Sequence, residues 1–253
     1  MRYINKIIYY YQRLDFINLV KILFIEFFVK FFSNLGFKYS FSHTGEDLHI
    51  ISLLKNKNKG FYIDVGSNHP IQNSNTYKLY LLGWTGILVD GNKELISKSR
   101  KVRKKDICIN AIVSNMDVDN IDFYISQNSN YSSINLNHIT SNNTLVSTLN
   151  LPVLSLNKII QNNLTKNFNI DILSIDVEGH DYEVLLSIDL ELYKPKLIII
   201  EDLEYDIKTI SSNRFSIYLK KFGYQLISID QLNLYFLLIQ NFNTPRNSNF
   251  NIT

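Results

Sequence analysis

The chain has 253 residues, 45% of them hydrophobic with 16 Tyr and 16 Phe, which suits one α/β domain with an appendage. A net charge of +3 gives no reason to invoke nucleic acid, and a single cysteine, Cys108, excludes a disulfide framework or a cysteine-rich metal site. That cysteine usage fits a cytoplasmic setting.

Residues 1–40 carry a net charge of +4 and the remainder −1. Residues 3–32 have a helical pattern rich in Tyr, Phe and Ile. Lys21, Glu26 and Lys30 interrupt the apolar stretch Phe16 to Phe32, which argues against a membrane span. No small-residue cleavage site follows, so it is not a secretory signal. Residues 1–40 are therefore expected to be an amphipathic helical extension ending near Gly36. It would dock on the domain, on a second copy in a homodimer, or on the inner face of the membrane as a peripheral contact. Residues 41–240 are expected to form the catalytic domain, and 241–253 a flexible, Asn-rich tail.

His43 to Asp47 should open a helix running to about Leu54, with Thr44 or Asp47 as N-cap. Phe61 to Val65 reads as a buried parallel strand that stops in the turn Gly66-Ser67-Asn68. A helix from Asn73 to Leu82 follows, with Ser74 as its cap. Ile87 to Val89 is a second strand ending in Asp90. The helix beyond it closes on a basic run, Lys98, Arg100, Lys101, Arg103, Lys104 and Lys105, read as a solvated helix end. Ile107 to Val113 is a third strand in which Cys108 is a buried structural thiol. Ile121 to Ile125 is a short strand. Ser126 to Asn150 is long and polar, and such a loop suggests a lid over the substrate. A helix of about Leu156 to Gln161 is capped by Ser155. Strands follow at Asp171 to Ile175 and Leu197 to Ile200, with helices at Asp181 to Ser187 and Phe215 to Phe222. Tyr224 to Ile229 and Leu234 to Ile239 pair as an antiparallel hairpin.

A strand, a glycine turn, a helix and a second strand ending in an acid form a nucleotide site in an open α/β sheet. A dinucleotide site expects three glycines around a pyrophosphate. Here there is one, Gly66, with Asp64 just before it, which disfavours a phosphate and a nicotinamide oxidoreductase. The pattern suits a ligand with a cationic amino acid end and a ribose, as in S-adenosylmethionine. Asp90 would accept from the ribose hydroxyls, and Asn110 and Ser114 would border the adenine. Asp64, Asp90, Asp176, Glu201 and Asp202 all fall at predicted strand ends and should converge on one edge. Methyl transfer to an alcohol needs a base or a metal. His180 is the candidate base, since its ordinary pKa lies near working pH. Asp176, Glu201 and Asp202 offer hard oxygen ligands for Mg²⁺. Acids at strand ends also cap helices or pair with lysines, and His180 could cap its own helix.

Several segments together resemble the FkbM-type methyltransferases. They are Gly45-Glu46-Asp47-Leu48, Tyr62-Ile63-Asp64-Val65-Gly66-Ser67-Asn68-His69-Pro70, Ser74-Asn75-Thr76-Tyr77, Gly83-Trp84-Thr85-Gly86 leading to Asp90, and Leu173-Ser174-Ile175-Asp176-Val177-Glu178-Gly179-His180-Asp181. The resemblance covers about residues 40 to 240. It implies a Rossmann-like class I methyltransferase fold, with a seven-stranded, mostly parallel sheet closed by an antiparallel hairpin. It also implies S-adenosylmethionine as methyl donor and an oxygen of a sugar or natural product as acceptor. On it, Asp64, Gly66, Ser67, Asn68, Asp90, Gly91 and Asn110, with Glu46 and Asp47, are expected around the cofactor. His69, Tyr131, Ser132, Ser133 and Glu178 are expected around the substrate, and His180 and Asp176 at the reacting centre. One acid after the fourth strand and a pair after the fifth is similar to metal-dependent sugar O-methyltransferases. The acceptor would be a nucleotide-activated sugar or a surface polysaccharide unit, as in capsule synthesis. A non-catalytic binding module on the same fold is the alternative. No Asp/Asn-Pro-Pro-aromatic motif occurs, so an amino-directed nucleic-acid methyltransferase is not indicated.

Overall fold

A computed structural model describes residues 39–239, apart from 55–56, 129–130, 137–138, 140–143 and 166–167, together with Val20, Phe24, Phe27 and Phe28. Those four are helical and exposed. The rest of the expected N-terminal extension, and the tail, lie outside the described residues. Among the described residues no helix is long and apolar enough to cross a membrane.

In chain order the elements are α1 (Glu46–Leu53), β1 (Phe61–Val65), α2 (Tyr77–Leu81), β2 (Thr85–Asp90), α3 (Lys93–Val102), β3 (Ile107–Asn110), β4 (Ile112–Val113), β5 (Asn120–Ser126) and β6 (Leu145–Leu154). Then come α4 (Leu156–Asn163), β7 (Ile172–Ile175), α5 (Asp181–Leu186), β8 (Leu197–Glu201), α6 (Arg214–Lys220), β9 (Tyr224–Asp230) and β10 (Asn233–Leu238). The main sheet has the order β3-β2-β1-β7-β8-β10-β9. Pairing is parallel from β3 through β8, and β10 runs against both β8 and β9. The central strands are largely apolar because both sheet faces are covered. Ile63 and Val65 pack on one side with Leu173, Ile175, Phe215 and Leu219. Tyr62, next to Ile63, points to the other side, against Ile50, Leu79 and Trp84.

Register places the site. Val65 pairs with Val89 and with Ile175, and Ile175 pairs with Ile200. The next residues along these strands, Gly66, Asp90, Asp176 and Glu201, therefore share one level at the carboxyl edge.

The expected third strand breaks at Ala111. Its first half, β3, stays in the main sheet, while β4 leaves it to pair with β6. The expected polar loop 126–150 is shorter, since its last residues belong to β6, a ten-residue strand antiparallel to β5. Its first four residues, Leu145 to Thr148, are all exposed, so no buried face marks the start of the strand. Helix α1 starts at Gly45, in the left-handed region at φ 102°, with no side-chain cap. Asp47 instead accepts from Ser40 Oγ (2.7 Å) and the Phe41 N–H (2.8 Å). Helix α2 begins at Tyr77, later than Asn73, which sits at φ 53°. Ser74 Oγ does accept from the Tyr77 N–H, at 3.1 Å. Ser155 caps α4 as expected, accepting from the Lys158 N–H at 3.1 Å. Cys108 is only half-buried, and burial pushes its thiol up to about 11. Arg103 departs most from expectation, being fully buried and not a solvated helix end.

Candidate active site

A cavity of about 310 Å³ opens at the carboxyl edge of β1, β2, β7 and β8. That is the lower end of small-molecule sites, which run from roughly 300 to 1,000 Å³. Val65, Val89, Ile112, Val113 and Phe123 make an apolar wall, and six acids with several amide and hydroxyl groups line much of the rest.

Gly66 has φ 80°, and a Cβ built on it would lie 1.7 Å from the Asp176 carbonyl oxygen. The glycine makes room for the end of β7, not for a ligand alone. Gly66→Ala is expected to cost about 1–2 kcal/mol for the left-handed backbone alone, and to push the Asp176 backbone away. A thermal melt and a cofactor titration of this variant check both effects.

Asp64 is buried and lines the cavity, with its Oδ2 accepting from Thr76 Oγ1 at 2.6 Å. Burial raises its pKa, opposed by the Thr76 hydrogen bond and the Arg103 charge. Asp90 Oδ1 accepts from the Asn92 N–H at 2.7 Å and Oδ2 from the Asn68 N–H at 2.8 Å. Burial nevertheless pushes Asp90 up to about 6. Gly91, Ser67 and Asn68 line the cavity beside it. The buried Ser67 Oγ finds no hydrogen-bond partner among the described residues. Glu46 also lines the cavity, with Oε2 accepting from the Thr44 N–H at 2.8 Å. Burial works against its ionisation, but hydrogen bonds from the Glu46 and Thr44 backbone and from Ser42 and Thr44 outweigh it and lower its pKa.

Three acids meet at the other end. One carboxylate oxygen each from Asp176, Glu178 and Glu201 lies within 4.8 Å of the others. Burial, then mutual repulsion, raises all three, with Glu178 and Glu201 at about 8. Glu201 Oε2 is buried with no hydrogen-bond partner among the described residues. Glu178 takes the position in this cluster expected for Asp202. Asp202 accepts instead from Asn213 Nδ2 (2.5 Å) and the Glu204 N–H (3.2 Å), outside the cavity lining. His180 lines the cavity, with Nε2 3.0 Å from Ser114 Oγ and Nδ1 3.5 Å from Glu183 Oε2. It precedes α5 but makes no side-chain cap. Burial lowers its pKa, against the opposing pull of Glu183.

Five other expected residues do not reach the cavity; Ser114, expected beside the adenine, instead meets His180 Nε2 through its Oγ. Asp47 ties down the 40–42 segment. Asn110 donates from Nδ2 to the Asp90 and Gly91 carbonyls, both at 2.9 Å, and so fixes the turn after β2. His69 Nδ1 accepts from the Gln72 N–H at 3.0 Å. Ser133 donates to the Glu178 carbonyl at 3.2 Å, which ties the β5–β6 lobe to the acid cluster. Its neighbours Tyr131 and Ser132 do line the cavity. Sequence reasoning missed Glu183 and Thr76 as partners of His180 and Asp64. The i,i+3 spacing of His180 and Glu183 on one helix was the available signal for the first.

No curated protein matches the chain significantly. The family description Methyltransferase FkbM domain matches residues 64–226, from Asp64 in β1 to the start of the terminal hairpin, and the chain belongs to this methyltransferase family.

Proposed function

We propose that the protein transfers the methyl group of S-adenosylmethionine to a sugar hydroxyl, on a Rossmann-like class I fold. The observation that carries this reading is the pair of acids, Asp64 and Asp90, on adjacent strand ends in one cavity. The site fits the cofactor in four ways. Asp90 can accept from ribose hydroxyls, and Asp64 and Glu46 can face an ammonium. The orphaned Ser67 Oγ offers a further polar contact, and Ile112 and Phe123 suit an adenine. Bound S-adenosylmethionine supplies an electrophilic methyl on a sulfonium. In this reading the methyl would pass to the acceptor oxygen as its bond to sulfur breaks and the sulfonium becomes a neutral thioether, while the acceptor's proton would go to His180 Nε2, with Ser114 Oγ giving way to the acceptor. Glu183 stabilises the imidazolium from the Nδ1 side. Asp176, Glu178 and Glu201 would hold Mg²⁺, which lowers the pKa of a bound hydroxyl.

The test is calorimetric titration with S-adenosylmethionine and with NAD⁺, each with and without Mg²⁺. S-adenosylmethionine is expected to bind and NAD⁺ not to. The reverse would overturn the reading. Because ribose hydroxyls donate to an ionised Asp90, the dissociation constant should be flat above pH 7. It should rise roughly tenfold per pH unit below about 6, as Asp90 takes up its proton. The unfolded carboxylate would ionise near 3.8, so keeping Asp90 ionised costs folded-state stability as pH rises from about 4 to about 6. Cofactor binding offsets that cost.

A further inference from the structure

We infer that the acceptor is an uncharged sugar unit, and not a nucleotide-activated or otherwise anionic sugar. The inference rests on the methyltransferase reading above and narrows its substrate.

Six carboxyl groups face the cavity, from Glu46, Asp64, Asp90, Asp176, Glu178 and Glu201, and its described lining contains no Lys or Arg. Nearby arginines are already engaged. Arg103 is fully buried behind Asp64, held by Asp106, Tyr62, Thr76 and Ser74. Arg214 lies over the Tyr182 and Phe215 rings. The basic run belongs to the far end of α3, whose first turn starts at Asn92 beside the cavity and whose axis leads away from it. The lid lobe brings no cation either. No Lys or Arg occurs anywhere in the sequence between Lys105 and Lys158, a stretch that holds β3 to β6 and their connections.

What this surface does offer is amide and hydroxyl groups, at Asn73, Asn75, Tyr131, Ser132 and Gln231. Such groups both donate and accept, as a sugar hydroxyl does. A nucleoside diphosphate brings at least two phosphate charges. Burying an anion without a partner is heavily penalised, and phosphate sites answer it with Lys, Arg, helix N-termini or glycine-rich turns. Mg²⁺ held by Asp176, Glu178 and Glu201 would be answered by those three carboxylates, so it would leave no net positive charge for a phosphate. His43 and His180 are the lining groups, among those described, that can become cationic, and burial works against His180.

The experiment follows methyl transfer from labelled S-adenosylmethionine, using the full chain with and without Mg²⁺. The acceptors are matched series of hexoses, 6-deoxyhexoses and N-acetylhexosamines. Each sugar is offered as its methyl glycoside, as a neutral oligosaccharide, as the 1-phosphate, as the nucleoside diphosphate sugar and, for the hexoses, as the uronic acid. Transfer to a neutral form at least about tenfold faster than to its charged counterparts is the expected result, a discrimination typical of an unpaired charge at a site. Equal or faster transfer to a phosphorylated, nucleotide-linked or uronic form, in either metal condition, overturns the inference while leaving methyl transfer intact. Cofactor binding without transfer to any member overturns it too, because the acceptor is then not one of these sugars. Failure to bind S-adenosylmethionine removes the reading beneath it and with it the inference.

Discussion

Replacing Arg103 by Met is expected to destabilise the fold by about 3–5 kcal/mol, the cost of breaking a buried ion pair from one side. At about 2–4 °C per kcal/mol for a chain of this size, the unfolding midpoint should fall by roughly 6–20 °C. The guanidinium is fully buried. Nε donates to Asp106 Oδ2 at 2.8 Å, and Nη2 donates to Tyr62 OH at 2.7 Å and Thr76 Oγ1 at 2.9 Å. The Tyr62 and Tyr80 rings flank it, with centroids 5.3 and 5.4 Å away. Burial works against its charge, but Tyr62, Asp106 and Asp64 outweigh burial and push its pKa up. Without it, Asp106 keeps only the Tyr62 hydroxyl and the Gly86 N–H, at 2.6 and 2.9 Å. The variant should also weaken cofactor binding, since Thr76 connects Arg103 to Asp64. Exposed Lys101 is the control, and Lys101→Met should change stability by less than about 0.5 kcal/mol. Equal melts for the two variants would show that the buried charge holds nothing together.

Arg103 also marks where the sequence stops being readable. In a row of six basic residues nothing local distinguishes the one that turns inward, because its partners Tyr62, Ser74 and Thr76 come from distant segments. The central strands were legible because a strand buried on both faces must be largely apolar, as Leu197 to Ile200 is throughout. The level at which they end was also legible, since a parallel sheet aligns the residues after each run. Strand β6 was hidden because it is mostly exposed and its polar residues resemble a loop. The acid pair after β8 shows the finest limit. Glu201 and Asp202 are neighbours, so one faces the cavity and the other turns to Asn213, and composition alone does not say which. Glu178 reaches the cluster because its backbone takes φ 55°, a conformation rare outside glycine.

His180→Ala should lower kcat by about 10²–10⁴-fold, the usual contribution of a positioned general base, or roughly 3–5 kcal/mol of barrier. The dissociation constant for S-adenosylmethionine should stay within about twofold, because the cofactor acids lie on other strands. The pH profile separates this from a structural role. Burial holds His180 below the ordinary histidine range and Glu183 partly restores it. The base form therefore persists below the usual pKa, and kcat should fall on the acid side only as pH drops through that lowered value. Glu183→Gln removes the restoring charge, 3.5 Å from Nδ1. The pKa then drops further and the acid limb moves to lower pH, while the plateau falls because the imidazolium is no longer stabilised. A histidine that merely filled space, or held Ser114 in place, would shift the melting temperature and leave the limb where it was. His180 makes no cap bond to α5, so loss of the side chain should cost the helix little. A fall in kcat with unchanged stability, cofactor affinity and metal response, together with a displaced acid limb in Glu183→Gln, would identify the imidazole as the group that takes the acceptor's proton.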